Sequence, residues 1–132
     1  MKKFQDLKDN EKTETYLFGK QVLFQYGSSY DKKLSRKITK IIKVNKRSFK
    51  IESDKNLLFD LDYGNIKHSH WSTTSFCEIF ENENEIKCLR KEFAYNKTQK
   101  YLLQEISLFD FSKLDNQQLE KIIALTKQKI KD

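Results

Sequence analysis

The chain has 132 residues, enough for one domain with its own core, and 26 Lys and Arg against 19 Asp and Glu give it a net charge of +7. It has no proline, three glycines and two cysteines without a CxxC spacing. No apolar run reaches about 18 residues, and the N-terminus lacks the apolar segment of a signal peptide. We therefore expect one cytoplasmic domain over residues 1–132, with free thiols and with a short or frayed element over residues 1–13.

The first half of the chain shows the alternation of apolar and polar side chains that is typical of strands. Residues 21–26 alternate, with Val22, Phe24 and Tyr26 on one face, and residues 27–29 end that strand. Alternation at 57–61 and the apolar segment 75–80 predict two more strands.

The basic segment between these strands fits either a helix or a strand by its apolar spacing. Ile, Thr and Val crowd one another in a helix but suit a pleated sheet, so we predict a β-hairpin from about Leu34 to Ile51. The turn of this hairpin is predicted at residues 45–48. About five strands are thus expected between residues 16 and 80.

The second half is predicted to be helical, over about residues 82–131. Asn82 and Glu85 form a capping box, after which Ile86, Leu89 and Phe93 make an apolar stripe. Beyond Phe93 the apolar residues move to another face, so this helix either breaks near residue 96 or turns to a new partner.

A second capping box, Asp115 with Gln118, predicts the last helix, and Leu114 and Leu119 form its hydrophobic staple. Its apolar residues are expected to dock on the preceding elements; these are Leu119, Ile122, Ile123 and Ile130. The predicted fold class is α+β, with a small, strongly bent five-stranded antiparallel sheet or SH3-like barrel followed by two or three C-terminal helices.

Charge is sorted along the chain. Residues 52–85 hold eight acids against two lysines, whereas residues 32–50 hold nine cations and no acid. The nine cations are Lys32, Lys33, Arg36, Lys37, Lys40, Lys43, Lys46, Arg47 and Lys50. Such a distribution steers polyanions toward the basic segment.

These nine cations and Phe49 are the predicted partner-binding residues. The basic hairpin can follow a phosphate backbone, while Phe49, Tyr26 or Tyr30 stacks on unpaired bases. The alternative is a solvated strand whose lysines keep a sheet edge from aggregating.

Metal binding and catalysis have weaker signals. His68 and His70 face the same way on a strand, and Cys77 or Cys88 can add a thiolate, but their spacing matches no standard zinc module. A thiol protease triad of Cys77 or Cys88 with His70 and Asp60 is equally unspecific. We expect no cofactor, no metal and no small-molecule substrate.

The acidic segment has two interpretations. Its carboxylates can imitate nucleic-acid phosphates, although the net positive charge argues against a DNA mimic, or they can serve solubility. Seven of the eight acids are the candidates for this imitation, namely Asp54, Asp60, Asp62, Glu78, Glu81, Glu83 and Glu85.

The stretches 19–22, 37–41, 46–51 and 58–61 resemble those of small β-barrel proteins encoded by bacteriophages and prophages. In that family a threonine-lysine strand, a basic turn and aromatic strands precede a capped helix and a closing Leu-rich helix. The resemblance covers residues 19–130 and implies an accessory protein in the cytoplasm of the host bacterium. Ile41 and Ile42 depart from the Val-Gly of the pattern.

We therefore expect a non-enzymatic binding protein that contacts nucleic acid or an RNA-guided nucleoprotein nuclease and inhibits a host defence complex, as an anti-CRISPR protein does. Inhibition rests on analogy with other small phage proteins. The alternatives are a plain nucleic-acid-binding accessory protein and a structural or assembly factor that binds only protein. No membrane contact is expected, and the oligomeric state is open.

Overall fold

The computed structural model describes residues 1–27, 35–67 and 75–130. For residues 129 and 130 it describes only the backbone. Its chain forms two compact units, Met1–Arg90 and Lys91–Asp132. The strands of the described part are β1 (Lys2–Lys3), β2 (Gln21–Tyr26), β3 (Ser35–Val44), β4 (Ser48–Ile51), β5 (Phe59–Asp60) and β6 (Phe76–Ile79). The α-helices are α1 (Glu14–Leu17), α2 (Glu83–Leu108) and α3 (Asn116–Ile130). The α+β class is thus confirmed.

The strands form one antiparallel sheet in the order β1-β6-β2-β3-β4-β5, which curls into a half-barrel. β3 makes the curl possible because it is long. Its first part pairs with β2, its last part pairs with β4, and the register shifts between Ile41 and Lys43. A bulge of this kind bends a strand and increases its twist. The predicted bent sheet is confirmed, and the predicted hairpin corresponds to β3 and β4.

Segment 64–67 connects the two ends of the curled sheet. Asp60 N donates to Asn65 O at 2.8 Å, and Cys77 N donates to Gly64 O at 2.9 Å. Gly64 has φ +75°, and a Cβ atom there would lie 2.8 Å from both Cys77 O and the Phe4 ring. Only glycine fits this position without displacing a neighbour.

Aromatic rings fill the core enclosed by the sheet. Phe4 and Phe49 stack at 4.5 Å between centroids, Phe49 and Phe59 follow at 5.2 Å, and Phe24 meets Phe59 edge-on at 5.2 Å. All four are at most 2 % exposed. Phe4 precedes β2, and the other three rings lie on β2, β4 and β5. The column therefore joins distant parts of the chain by ring contacts.

The N-terminal segment is anchored in this core. Phe4 and Leu7 are buried, Lys2 and Lys3 pair with β6, and short 3₁₀ turns follow at Phe4–Asp6 and Asp9–Glu11. The elements of this segment are short, and the strand β1 was not predicted. A two-residue strand leaves too little alternation to be recognised.

α2 does not break near residue 96, since it runs without interruption to Leu108. Its start is capped as expected, because Asn82 Oδ1 accepts from Glu85 N at 3.0 Å. The reciprocal bond differs from the prediction, since the Glu85 carboxylate accepts from Glu81 N at 3.2 Å.

α3 begins with the predicted capping box. Asp115 Oδ1 accepts from Gln118 N at 2.8 Å, and Gln118 Oε1 accepts from Asp115 N at 3.1 Å. Leu119 and Ile122 are half-buried, but Ile123 is 53 % exposed. The expectation that Ile123 docks on the preceding elements is therefore wrong, and the Ile130 side chain lies outside the described residues.

Candidate nucleic-acid interface

The turn between β3 and β4 projects two of the predicted cations into solvent. Asn45 N donates to Ser48 O at 2.7 Å, which closes the turn, and Leu61 N donates to Arg47 O at 3.1 Å, which fixes the turn to the segment after β5. Lys46 and Arg47 are exposed at its apex. Their backbone is thus held in place while their side chains reach outward.

Two more cations lie on the outer face of the hairpin. Lys43 and Lys50 are direct partners in the β3–β4 register, and Val44 and Phe49 are the next partners. Because side chains alternate across a strand, Phe49 points into the core and the two lysines point away from it. Lys43, Lys46, Arg47 and Lys50 are here called the cationic tip.

The cationic tip forms no ion pair with any acidic residue in the described part of the chain. Like charges directly opposite each other on neighbouring strands destabilise a sheet. The nearest acid by register, Asp60, lies opposite Ser48, and its Oδ1 accepts from Asp62 N. The cationic tip therefore has positive charge available for an external anion.

Two cations further back along β3 are instead paired with acids that follow β4. Lys37 Nζ lies 2.6 Å from Asp54 Oδ2. Lys40 Nζ lies 3.4 Å from Glu52 Oε2, and both Lys40 and Glu52 are exposed. The two charge poles of the sequence thus meet in space at this point. An exposed pair such as Lys40 and Glu52 is easily opened by a competing anion, because solvent screens it.

The Lys37–Asp54 pair closes one end of the aromatic column. The Lys37 ammonium lies 5.6 Å from the Phe24 centroid and 5.1 Å from that of Tyr26. Partial burial raises the pKa of Asp54, but hydrogen bonds from Lys37 and Ser53 outweigh it and leave the pKa below its ordinary value. This lysine serves the fold more than a ligand.

The predicted site therefore divides into parts. Its cationic tip stays available, whereas Lys37 and Lys40 are paired with acids. Arg36 is half-buried on the outer face beside Gln25. Lys32 and Lys33 lie outside the described residues. The assignment of Phe49 to the binding surface is wrong. Its ring is 0 % exposed and stacks between Phe4 and Phe59, so no base can reach it.

An exposed aromatic residue that the sequence analysis did not select lies near the cationic tip. Tyr63 is 60 % exposed and follows Leu61, which donates to the Arg47 carbonyl, by two residues. Its position in a polar turn beside a glycine was the available signal, because an aromatic side chain in such a turn is not needed for the core. Tyr26, at 37 % exposure, stays reachable beside Lys37, and Tyr30 lies outside the described residues.

The other candidates give no site in the described residues. Burial raises the pKa of the Cys77 thiol well above its ordinary value, with a smaller contribution from Asp54, and Cys77 belongs to the core; Cys88 is exposed on α2. His68 and His70 lie outside the described residues. Among residues 1–27, 35–67 and 75–130, no three potential metal ligands converge, and no helix has the length and apolarity needed to cross a lipid bilayer.

No family model, curated protein or solved structure matches the chain. The resemblance to phage-encoded β-barrel proteins therefore stays a prediction.

Proposed function

We propose that the protein binds nucleic acid through the cationic tip and the outer face of the β3–β4 hairpin. The observation that carries this proposal is the direct opposition of Lys43 and Lys50, with Lys46 and Arg47 exposed beside them. Four cations in this arrangement repel one another, and a polyanion relieves that repulsion. Protein folding alone gives no reason to place them together.

Edge protection accounts for at most two of these four cations. Lysine is common on edge strands because it discourages pairing with other chains. β5 pairs with β4 only at Ser48 and Phe49, and β2 pairs with β3 only as far as Lys40, so edge protection can apply to Lys43 and Lys50 alone. Lys46 and Arg47 belong to a turn, where no strand edge needs protection.

The dimensions of the outer face suit a nucleic-acid backbone. By strand alternation Arg36 and Lys40 lie on the same face as Lys43, beyond the bulge. From residue 36 to residue 43 a strand extends about 23 Å at 3.3 Å per residue. A phosphate backbone rises 3.4 Å along the duplex axis at each step and also winds around that axis, so this length spans fewer than seven phosphates. A phosphate backbone can therefore follow β3 and reach the cationic tip.

A charge-reversal variant tests the proposal. Changing Lys43, Lys46 and Arg47 to Glu should weaken binding to a 20-nucleotide probe at least about 100-fold in fluorescence anisotropy at low salt. Loss of three phosphate contacts should also lower the slope of log affinity against log salt by about 2 to 3.

The matched control reverses Lys87, Lys97 and Lys100 on α2, which are likewise exposed. Both variants take the net charge from +7 to +1 (7 − 6). The two variants therefore have the same net charge and differ only in where the charges are reversed. The control should lose much less affinity than the tip variant. Equal loss in both variants, or no loss in either, would contradict a localised interface.

The further expectations stay predictions: that the protein is non-enzymatic, phage-encoded and inhibits a host defence nuclease. A pull-down from host lysate with and without nuclease treatment separates them from plain nucleic-acid binding. A protein partner that persists after nuclease treatment, and is lost with the tip variant, indicates direct contact with a protein and contradicts plain nucleic-acid binding.

A further inference from the structure

A cavity of about 270 Å³ opens on the unit Met1–Arg90, next to β6. Its size lies just below the range of about 300–1,000 Å³ that accommodates drug-sized ligands. It therefore suits a ligand of one or two planar rings. Its lining includes Lys3, Gln5, Tyr63, Asn65, Phe76 and Glu78.

The sheet topology builds this cavity. β1 and the segment 64–66 occupy the same edge of β6, one after the other, because Lys3 pairs with Glu78 and Asn65 pairs with Phe76. The chain leaves β6 after Lys3, and the cavity forms between that departing segment and the turn that carries Tyr63. Strand pairing therefore fixes the part of the wall formed by Lys3, Asn65, Phe76 and Glu78.

The cavity lies close to the cationic tip along the chain and in space. Leu61 N is 3.1 Å from Arg47 O, and Tyr63 follows Leu61 by two residues, a Cα distance of at most about 7.6 Å. A nucleic-acid strand held by Arg47 can thus place a neighbouring nucleotide at Tyr63.

The lining combines a stacking surface with polar groups that recognise hydrogen-bonding edges. Tyr63 is an exposed aromatic ring, and Phe76 is a second, half-buried one. Glu78 Oε1 accepts from Gln25 Nε2 at 3.3 Å, and within the described part of the chain Oε2 makes no hydrogen bond. A carboxylate only accepts, and the amides of Gln5 and Asn65 both donate and accept.

We propose that this cavity is a subsite for an unpaired nucleobase that carries an exocyclic amino group, such as cytosine. The base stacks on Tyr63, its amino group donates to the Glu78 carboxylate, and Gln5 or Asn65 donates to its carbonyl oxygen. Lys3 neutralises an adjacent phosphate. The inference rests on the proposed nucleic-acid function and specifies it, since a base can enter the cavity only from a single strand.

The first test compares 12-nucleotide probes of oligo(dC) and oligo(dT) with a duplex of mixed sequence, by fluorescence anisotropy at one salt concentration. The protein should bind oligo(dC) at least about fivefold more tightly than oligo(dT), because thymine has no exocyclic amino group. Glu78→Ala should remove this preference and leave oligo(dT) binding unchanged.

Tyr63→Ala should weaken binding of both single strands by about fivefold to 100-fold and leave duplex binding unchanged. Tyr63→Phe should restore single-strand affinity, because stacking needs the ring and not the hydroxyl group. Tyr95→Ala is the matched control, since Tyr95 is 68 % exposed in the other unit. Unaltered melting temperatures establish that each variant is folded.

A second measurement does not depend on the cationic tip. Titration with dCMP should shift the side-chain amide resonances of Gln5 and Asn65 in NMR spectra, and dTMP should shift them much less. Shifts with dCMP but no tip-dependent affinity for oligonucleotides would retain the subsite and contradict the proposed interface. Tip-dependent affinity without a dCMP shift, or without a Tyr63→Ala effect, would overturn the subsite alone, and the absence of both signals would overturn both.

Discussion

At the scale of single residues, Gly64 joins the turn after β5 to both β6 and the core. Two features oppose any larger residue at this position. The backbone has φ +75°, and an added Cβ atom would lie 2.8 Å from Cys77 O and from the Phe4 ring. Gly64→Ala should therefore lower the free energy of unfolding by about 2–5 kcal/mol, from left-handed backbone strain and from overpacking. Urea denaturation measures this loss.

Gly19 provides the control for that substitution. It has φ +81°, but a Cβ atom there meets no heavy atom within 4 Å among the described residues. Gly19→Ala should lower the free energy of unfolding by only about 1–2 kcal/mol, which is the backbone contribution. Similar losses at both positions would contradict the close approach at Gly64.

The pair of Asp54 and Lys37 links stability to pH. The folded state holds the Asp54 pKa below its ordinary value of about 3.9, so the pair stabilises the protein above that pH. This stabilisation should disappear as the pH falls through 3.9 toward the lowered pKa of the folded state. Asp54→Asn should thus lower the free energy of unfolding at pH 7 but have little effect at pH 2.

A double-mutant cycle checks that Lys37 is the partner responsible. At pH 7 the effects of Asp54→Asn and Lys37→Met should not add, because either change alone removes the 2.6 Å contact. Additive effects would show that Asp54 stabilises the folded protein through neighbours other than Lys37.

At the scale of secondary-structure elements, the start of α3 depends on a local pair of hydrogen bonds. Asp115→Ala removes the acceptor of Gln118 N and should destabilise the helix by about 1 kcal/mol. Amide hydrogen exchange should accelerate at Gln118 and Leu119. Asn116→Ala, one residue further and without a side-chain hydrogen bond among the described residues, is the control and should leave this exchange nearly unchanged.

Local patterns predicted these element starts but not the course of α2. The apolar stripe Ile86, Leu89 and Phe93 spans only two turns, because only Ile86 is buried and the residues from 94 to 108 are exposed. The helix itself continues, since residues 94–108 contain neither glycine nor proline to interrupt its backbone hydrogen bonds. An apolar stripe reports what a helix packs against, and it does not report where the helix ends.

At the scale of the whole molecule, the main core lies entirely within the unit Met1–Arg90, from Phe4 to Ile79. A chain ending at Arg90 should therefore fold, and its melting temperature should fall by less than about 8 °C, the shift expected for 1 kcal/mol in a domain of this size. It should also keep its nucleic-acid affinity, because the cationic tip belongs to this unit. Circular dichroism and anisotropy measure the two properties.

A chain ending at Asn82 is the matched comparison. It additionally removes Ile86, which is 3 % exposed, and should lose about 2–5 kcal/mol of stability relative to the chain ending at Arg90. If the chain ending at Arg90 were unfolded, residues 91–132 would have to contribute to the core of the first unit.

The sequence by itself determined the features that depend on neighbours along the chain. Alternation located β2 and the strand at 57–61 that contains β5, because a strand exposes every second side chain to the same environment. The β-branched composition of the basic segment located the β3–β4 hairpin. Cap residues located the starts of α2 and α3, because their hydrogen bonds span three residues. The concentration of cations in residues 32–50 likewise needs no structure to be seen.

Only the tertiary structure decided which of those residues are available to a ligand. Phe49 entered the core because the register with Val44 turns its ring inward, and Lys37 and Lys40 met Asp54 and Glu52 because β4 brings the acidic segment back along β3. Closure of β5 onto β6 through Gly64 formed the cavity beside Tyr63. These outcomes depend on pairing between residues distant in sequence, and composition and periodicity do not specify such pairing.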